Sequence, residues 1–313
     1  MNTSAPPASG TLRDLAPGTI GMVLLGGSVT VSRSLIHAPV FATQAVRYAV
    51  ATLLLLAFAR VARVTVLRPR GREWLWLAGI AATGLVLFNV AVVRGVEHAE
   101  PAVIAVAVAS VPILLGVLGP LLERRRPSRR VLWAAPVVMA GAVLVEGTGR
   151  TDAAGVAWAA LALACEAGFT LLAVPVLRRH GPWGVSVHAV WLGAVMLGVL
   201  TLLTGRPSDL LALGPTQWAA VGYLAVMVTA VAFLLWYRTV AAVGAGRAGL
   251  LTGVAPLAAA AIGACTGGGV PGLPVWLGLV VVVAGLAAGL TGPRRGPVRE
   301  RPAPQQERAP ASP

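Results

Sequence analysis

Ten apolar runs, each about as long as a helix that crosses a bilayer, leave this chain few folds to choose from. They lie at 18–37, 40–59, 74–93, 102–122, 131–147, 154–176, 185–204, 217–237, 247–265 and 274–292. A hydrocarbon core of about 30 Å takes roughly 20 helical residues. The runs lack the short alternation of a membrane strand, and a helix satisfies its own backbone where no water can. Only 12% of the 313 residues are charged and 57% are apolar, whereas soluble domains run at about a quarter charged. The expected fold is an all-α membrane protein of ten transmembrane helices. Interior Gly and Pro agree with this, since both are commoner in membrane helices than in soluble ones.

The net charge of +14 raises the question of nucleic acid, but its distribution points elsewhere. All 25 basic residues are Arg. With the N-terminus in the cytoplasm, the ten runs place 20 of them inside and only Arg94, Arg150 and Arg206 outside, with Arg33 and Arg47 within spans. Such an asymmetry across short loops orients a membrane protein. The Arg clusters also lack interleaved aromatics on which bases would stack, so the lipid bilayer is the expected partner and nucleic acid is not. Both termini are expected in the cytoplasm of a multi-pass protein of the cell membrane.

Cys165 and Cys265 lie in or at the edge of spans without metal-ligand spacing and read as packing residues. MNTSAPPASG lacks the basic-then-apolar start of a cleaved leader. The Pro-rich end GPVRERPAPQQERAPASP reads as a disordered tail. Residues 1–17 and 293–313 are therefore expected as cytoplasmic tails around two five-helix units, 18–148 and 149–292.

Those two units follow from a repeat. At a fixed offset of 144 residues, Trp74 meets Trp218, Arg94 meets Arg238, Pro112 meets Pro256, Gly119 meets Gly263, Pro127 meets Pro271 and Gly141 meets Gly285. Five helices is an odd number, so the second copy must enter the membrane in the opposite sense. Inverted repeats of this kind characterise secondary transporters, in which one fold in two orientations supplies inward-open and outward-open states.

Several stretches carry a family resemblance: GGSVTVSR at 26–33, AVRYAVATLLL at 45–55, SVPILLGVLGPLLERR at 110–125, AFLLWYRTVAAVGAGRAGLLTGVAPLAAAAIG at 232–263 and WLGLVVVVAGLAAGL at 276–290. The chain resembles the drug/metabolite transporter superfamily, EamA type. The resemblance implies ten helices in two inverted repeats and transport, usually export, of small metabolites, amino acids or drugs. It departs from the family pattern at Gly267, where the second repeat often carries the counterpart of Glu123, and at Leu25, where a Trp often stands. Arg47 matches a family position expected to be structural, with Pro112 and Pro256 as structural prolines.

Polar groups inside spans are the natural pathway candidates, because hydrocarbon penalises them. They are Glu166 in the sixth run, Asn89 in the third, and Ser28, Ser32 and Arg33 along the first, with Trp236 near the end of the eighth. Glu166, flanked by small residues in ALACEAGFTLL, reads as a proton or cation site, or as the structural partner of an Arg such as Arg33. Ser28 and Ser32 read equally as backbone-bonded hydroxyls. Trp236, Tyr237 and His188 read more simply as interface residues. No lysine is present, which excludes a P-loop with its phosphate-binding Lys. Ser186 and His188 stand two apart and diverge on a helix, so no catalytic, cofactor or metal site is expected. A flippase for lipids or lipid precursors shares most of the features above and stays open as an alternative to soluble-metabolite transport; an intramembrane enzyme has no such support.

Overall fold

The computed structural model describes residues 9–147, 149–204, 207–266 and 272–290, with side chains from Leu12 onward. Ten long helices organise them: α1 Ser9–Ser32, α2 Val40–Val61, α3 Glu73–Gly95, α4 Pro101–Leu122, α5 Arg129–Glu146, α6 Ala153–Leu171, α7 Val174–Thr204, α8 Pro215–Val243, α9 Ala245–Cys265 and α10 Leu273–Leu290. No strand occurs among the described residues; an isolated bridge joins Ala99 to Thr151. All but α5 are long and apolar enough to cross a membrane. The exception carries Arg129, Arg130 and Glu146 at its two ends, as a spanning helix places its charges. This is an all-α, multi-pass membrane protein of two inverted five-helix repeats.

The 144-residue register holds for the backbone. α1 and α6, α4 and α9, and α5 and α10 each begin 144 residues apart. α3 widens into a π-helical turn at Ala81–Leu87, and α8 does so at Leu224–Ala232. α4 is broken at Ser110, with Pro112 just beyond it; α9 is broken at Leu251–Gly253, with Pro256 just beyond. The two prolines thus take the same place in equivalent elements. Pro127's counterpart, Pro271, falls outside the described residues.

Packing obeys the same symmetry. α5 lies along α10, α2 along α7, α1 against α8 and α9, and α6 against α3 and α4. At the α5–α10 contact, a Cβ on Gly141 would stand 2.7 Å from the Val282 nitrogen, and one on the equivalent Gly285 would stand 3.0 Å from the Val138 nitrogen. Val138 and Val282 are themselves repeat partners, each without exposed surface. Backbones that approach this closely need glycine on both faces.

Three boundaries differ from the sequence expectation. α1 starts at Ser9, so half of the anticipated N-terminal tail is helical, with Pro17 inside the helix. The sixth run overshoots: α6 ends at Leu171 and α7 begins at Val174. The turn there is apolar and Ala173 is fully buried, so no polar residue announces it. α7 itself is interrupted at Gly181, whose φ of 63° and ψ of 178° only glycine adopts without strain. Residues 293–313 and Gly267 lie outside the described residues.

Candidate functional site

A cavity of about 180 Å³ lies where α1, α2, α3, α6 and α8 converge. Its walls come in repeat pairs: Met22 and Glu166, Leu25 and Phe169, Gly84 and Val228, Phe88 and Ala232, Asn89 and Phe233 all line it, each pair 144 residues apart. A space bounded by equivalent residues of two inverted halves lies on the axis that relates them. Both π-helical turns flank it. Such turns are rare and collect at functional sites, because the widened backbone displaces side chains from the helical lattice.

Glu166 projects into this space from α6 and, among the described residues, makes no hydrogen bond or ion pair. Around it stand Phe169, Phe233 and Trp236. Phe169 packs on Phe233 at 4.9 Å and on Tyr237 at 5.2 Å between centroids. Gly84 across the cavity has no room for a Cβ, because Phe169 fills that space. The end of α6 is held from α8: Trp236 Nε1 donates to Thr170 Oγ1 at 3.0 Å, and the Tyr237 hydroxyl donates to the Phe169 carbonyl at 3.0 Å. Trp236 is 4% exposed and Tyr237 fully buried, so the expectation of interface aromatics gives way to a cavity wall and its brace. The indole and phenol each need a partner once buried, and the α6 end supplies them.

A polar chain forms the other wall. Arg47 donates through Nε to Thr229 Oγ1 at 2.7 Å and through an Nη to Gln44 Oε1 at 3.1 Å. Gln44 passes a hydrogen bond to Asn89 Oδ1 at 3.1 Å, and Asn89 Nδ2 donates to the Leu85 carbonyl at 2.7 Å. Thr229 sits in the π turn of α8 and in turn donates to the Leu224 carbonyl. Arg47 therefore braces α2 against α8, as a structural residue would, and also lines the cavity. A guanidinium carries five N–H donors, and the bonds above use two of them.

The remaining candidates lie elsewhere. Ser32 and Arg33 are exposed at the far end of α1. Arg33 stands eight residues beyond Leu25, about 12 Å along a helix, and no Arg33–Glu166 pair forms. Ser28 is buried and its hydroxyl donates to the Leu25 carbonyl at 2.6 Å, but Ser28 itself does not line the cavity. His188 is buried against the loop between α2 and α3: it donates through Nε2 to the Leu67 carbonyl at 2.9 Å and accepts from Trp191 Nε1 at 3.1 Å. Ser186 has a buried hydroxyl without a partner and no bond to His188. Gln44 and Tyr48 were the residues that sequence reasoning missed. Their spacing around Arg47, at i−3 and i+1, puts Gln44 on the Arg47 face, and that spacing is the signal in the sequence that could have found it.

No group of three or more metal-ligating side chains occurs among the described residues. An inverted-repeat bundle around an axial cavity defines a membrane transporter, and comparison with known proteins names the family. The EamA-like transporter family matches residues 18–147 and 153–290, and the chain belongs to it. It is 25% identical over 246 residues to the uncharacterized transporter YetK of Bacillus subtilis (strain 168), covering 76% of this chain and 74% of that one. It is 27% identical over 176 residues to a probable terminal-alkyne amino-acid exporter of Streptantibioticus cattleyicolor, covering 56% of this chain and 59% of that one. A solved crystal structure 19% identical in sequence matches with a TM-score of 0.76 over 88% of this chain and 97% of its own, a likeness in fold.

Proposed function

We propose that this transporter exports small amphiphilic metabolites, of the size and polarity of amino acids or cationic drugs, by alternating access through the axial cavity. The observation that carries this reading is the polarity of the cavity. Arg47, Gln44 and Asn89 stand along one wall and Glu166 among aromatics along another, so a solute with an anionic and a cationic end finds a partner for each. Glu166 serves as the proton or cation site, because a carboxylate without a fixed partner in such a place exchanges its proton or a bound cation at low cost in structure. The related Streptantibioticus protein, described as a probable amino-acid exporter, supports the direction and the solute class. The arginine asymmetry supports a cell-membrane orientation with both termini in the cytoplasm.

Proteoliposomes provide the test. Preloaded with labelled amino acids or a cationic dye and given a proton gradient, they should lose label faster than empty-lipid controls, and external unlabelled solute should accelerate exchange. Movement of fluorescent phospholipid between leaflets without flux of any soluble label would replace this reading with that of a flippase.

A further inference from the structure

The starts of α3 and α8 occupy equivalent positions at the two ends of the bundle, yet among the described residues an ion pair forms at the α3 start and not at the α8 start. At the start of α3, a Glu73 oxygen accepts the Arg70 backbone N–H at 2.8 Å; at the start of α8, the equivalent Gln217 accepts the equivalent Gly214 N–H, also at 2.8 Å. The cap is thus common to both repeats. Glu73 does more: Arg179 and His180, at the end of the short helical stretch before Gly181, both bond its carboxylate, His180 Nε2 at 3.1 Å. The residues 144 positions back are Leu35 and Ile36, whose side chains can form neither a hydrogen bond nor an ion pair.

A second difference lies beneath the first. Gln44, Arg47 and Tyr48 line the cavity, but their repeat equivalents His188, Trp191 and Leu192 do not. Trp74 fills that place, edge-on to Trp191 at 6.0 Å and to His188 at 6.2 Å, with His180 against His188 at 5.7 Å between ring centroids. The path is therefore plugged by aromatic rings on the Glu73 side and open to polar side chains on the Gln44 side. Gly181, at φ 63°, joins the fastened stretch to the membrane-crossing part of α7 and offers a pivot.

We propose that the Glu73–Arg179–His180 cluster is the latch of the gate at the arginine-rich face, holding the Trp74–His188–Trp191 plug shut so that the resting protein opens toward the opposite face. The proposal rests on the alternating-access reading above. The capping bond makes a clean variant available: Glu73→Gln keeps an acceptor for the Arg70 N–H and reproduces the chemistry of Gln217, but removes the charge that Arg179 pairs with.

The first arm of the experiment reads accessibility. In a chain carrying Cys165→Ala and Cys265→Ala, single cysteines replace Leu192 on the plugged side or Gln44 on the open side, and a charged maleimide is applied to vesicles of each orientation. With Glu73→Gln, or separately with Arg179→Gln, the Leu192→Cys site should react several-fold faster from the arginine-rich face and the Gln44→Cys site more slowly from the other. Gln217→Glu, which has Leu35 and Ile36 where Glu73 has Arg179 and His180, should change neither rate when Arg33 on the neighbouring turn is replaced by Gln in the same chain. Unchanged rates at both sites in the two latch variants overturn the proposal, as does an equal response to Gln217→Glu. A second arm joins Glu73→Cys to Arg179→Cys with a cleavable bifunctional reagent: flux should stop and return on reduction, and unimpeded flux in the cross-linked protein overturns the latch. Accessibility that responds as expected in a protein that moves no soluble label would leave the latch standing and remove the metabolite-export reading.

Discussion

The two repeats share a backbone and diverge in side chains, and the places where they diverge are not random. Gly141 and Gly285, Val138 and Val282, Pro112 and Pro256, and the two π turns are kept in register. Each sets how closely helices approach or where a helix bends, and a bundle of inverted halves must satisfy those demands twice. Around the axis the pairs part: Met22 faces Glu166, Arg47 corresponds to Trp191, Glu73 to Gln217. A symmetric frame supplies two states of similar energy, and unlike side chains at equivalent places decide which state rests and what it binds.

The sharpest break of the comparison is at the shared contact. Gly141→Leu and Gly285→Leu each drive a side chain into the opposite backbone, at a cost of about 1–3 kcal/mol or more for overpacking. Both should lose most folded protein in detergent, to a similar extent, as size-exclusion recovery after heating would read. If one is tolerated, the α5–α10 contact is not the symmetric joint described above.

At Met22 and Glu166 the repeats should separate. Glu166→Gln keeps the shape and removes the charge; gradient-driven accumulation should fall by about tenfold or more, with exchange retained, if one proton-linked site couples transport. Met22→Leu should stay within about twofold, since it changes only packing. Equal and unaltered accumulation across pH 5 to 8 in Glu166→Gln would reduce that residue to a wall.

Arg47 and Trp191 give a finer contrast. Arg47→Lys keeps a charge but cannot serve Thr229 and Gln44 from one planar fork, and loss of a charge-assisted bond of about 1.5–3 kcal/mol predicts roughly tenfold weaker apparent solute affinity. Trp191→Phe keeps the ring and should alter affinity little. A Lys variant with unchanged affinity would confine Arg47 to bracing.

The smallest effect belongs to the loops between repeats. Asp152 caps α6 by accepting the Gly155 N–H at 2.8 Å and lies 3.1 Å from His98 Nδ1. The backbone bond first, then His98, hold its carboxyl below its ordinary value of 3.8. A lowered carboxyl contributes above its unfolded value and loses that contribution as the pH falls through the folded one. Asp152→Ala should therefore unfold at a slightly lower temperature than the parent at pH 7, and the two should converge below about pH 4. A gap that widened in acid would contradict the cap.

Much of this was legible in residue order. Run lengths of about 20 apolar residues gave ten helices, because a bilayer leaves no other use for them, and the 144-residue register announced the inversion through Trp74, Arg94 and Pro112. Glu166 and Asn89 stood out because each is costly in hydrocarbon. Arg33 and Ser32 stood out for the same reason, and the structure puts both at an exposed helix end: a sequence shows that a group is polar, not how far along its helix the water begins.

Sequence alone determined, then, the class, the ten helices and their duplication, since these depend on composition and period, which are local and additive. Tertiary structure decided the site. Which face of α2 turns inward, that Trp236 is a brace and not a belt residue, and that Glu73 finds Arg179 and His180 across more than 100 residues all depend on distances between helices far apart in the chain. No window of sequence records those distances; they are set when glycine-lined backbones close on one another and the remaining side chains take the space that is left.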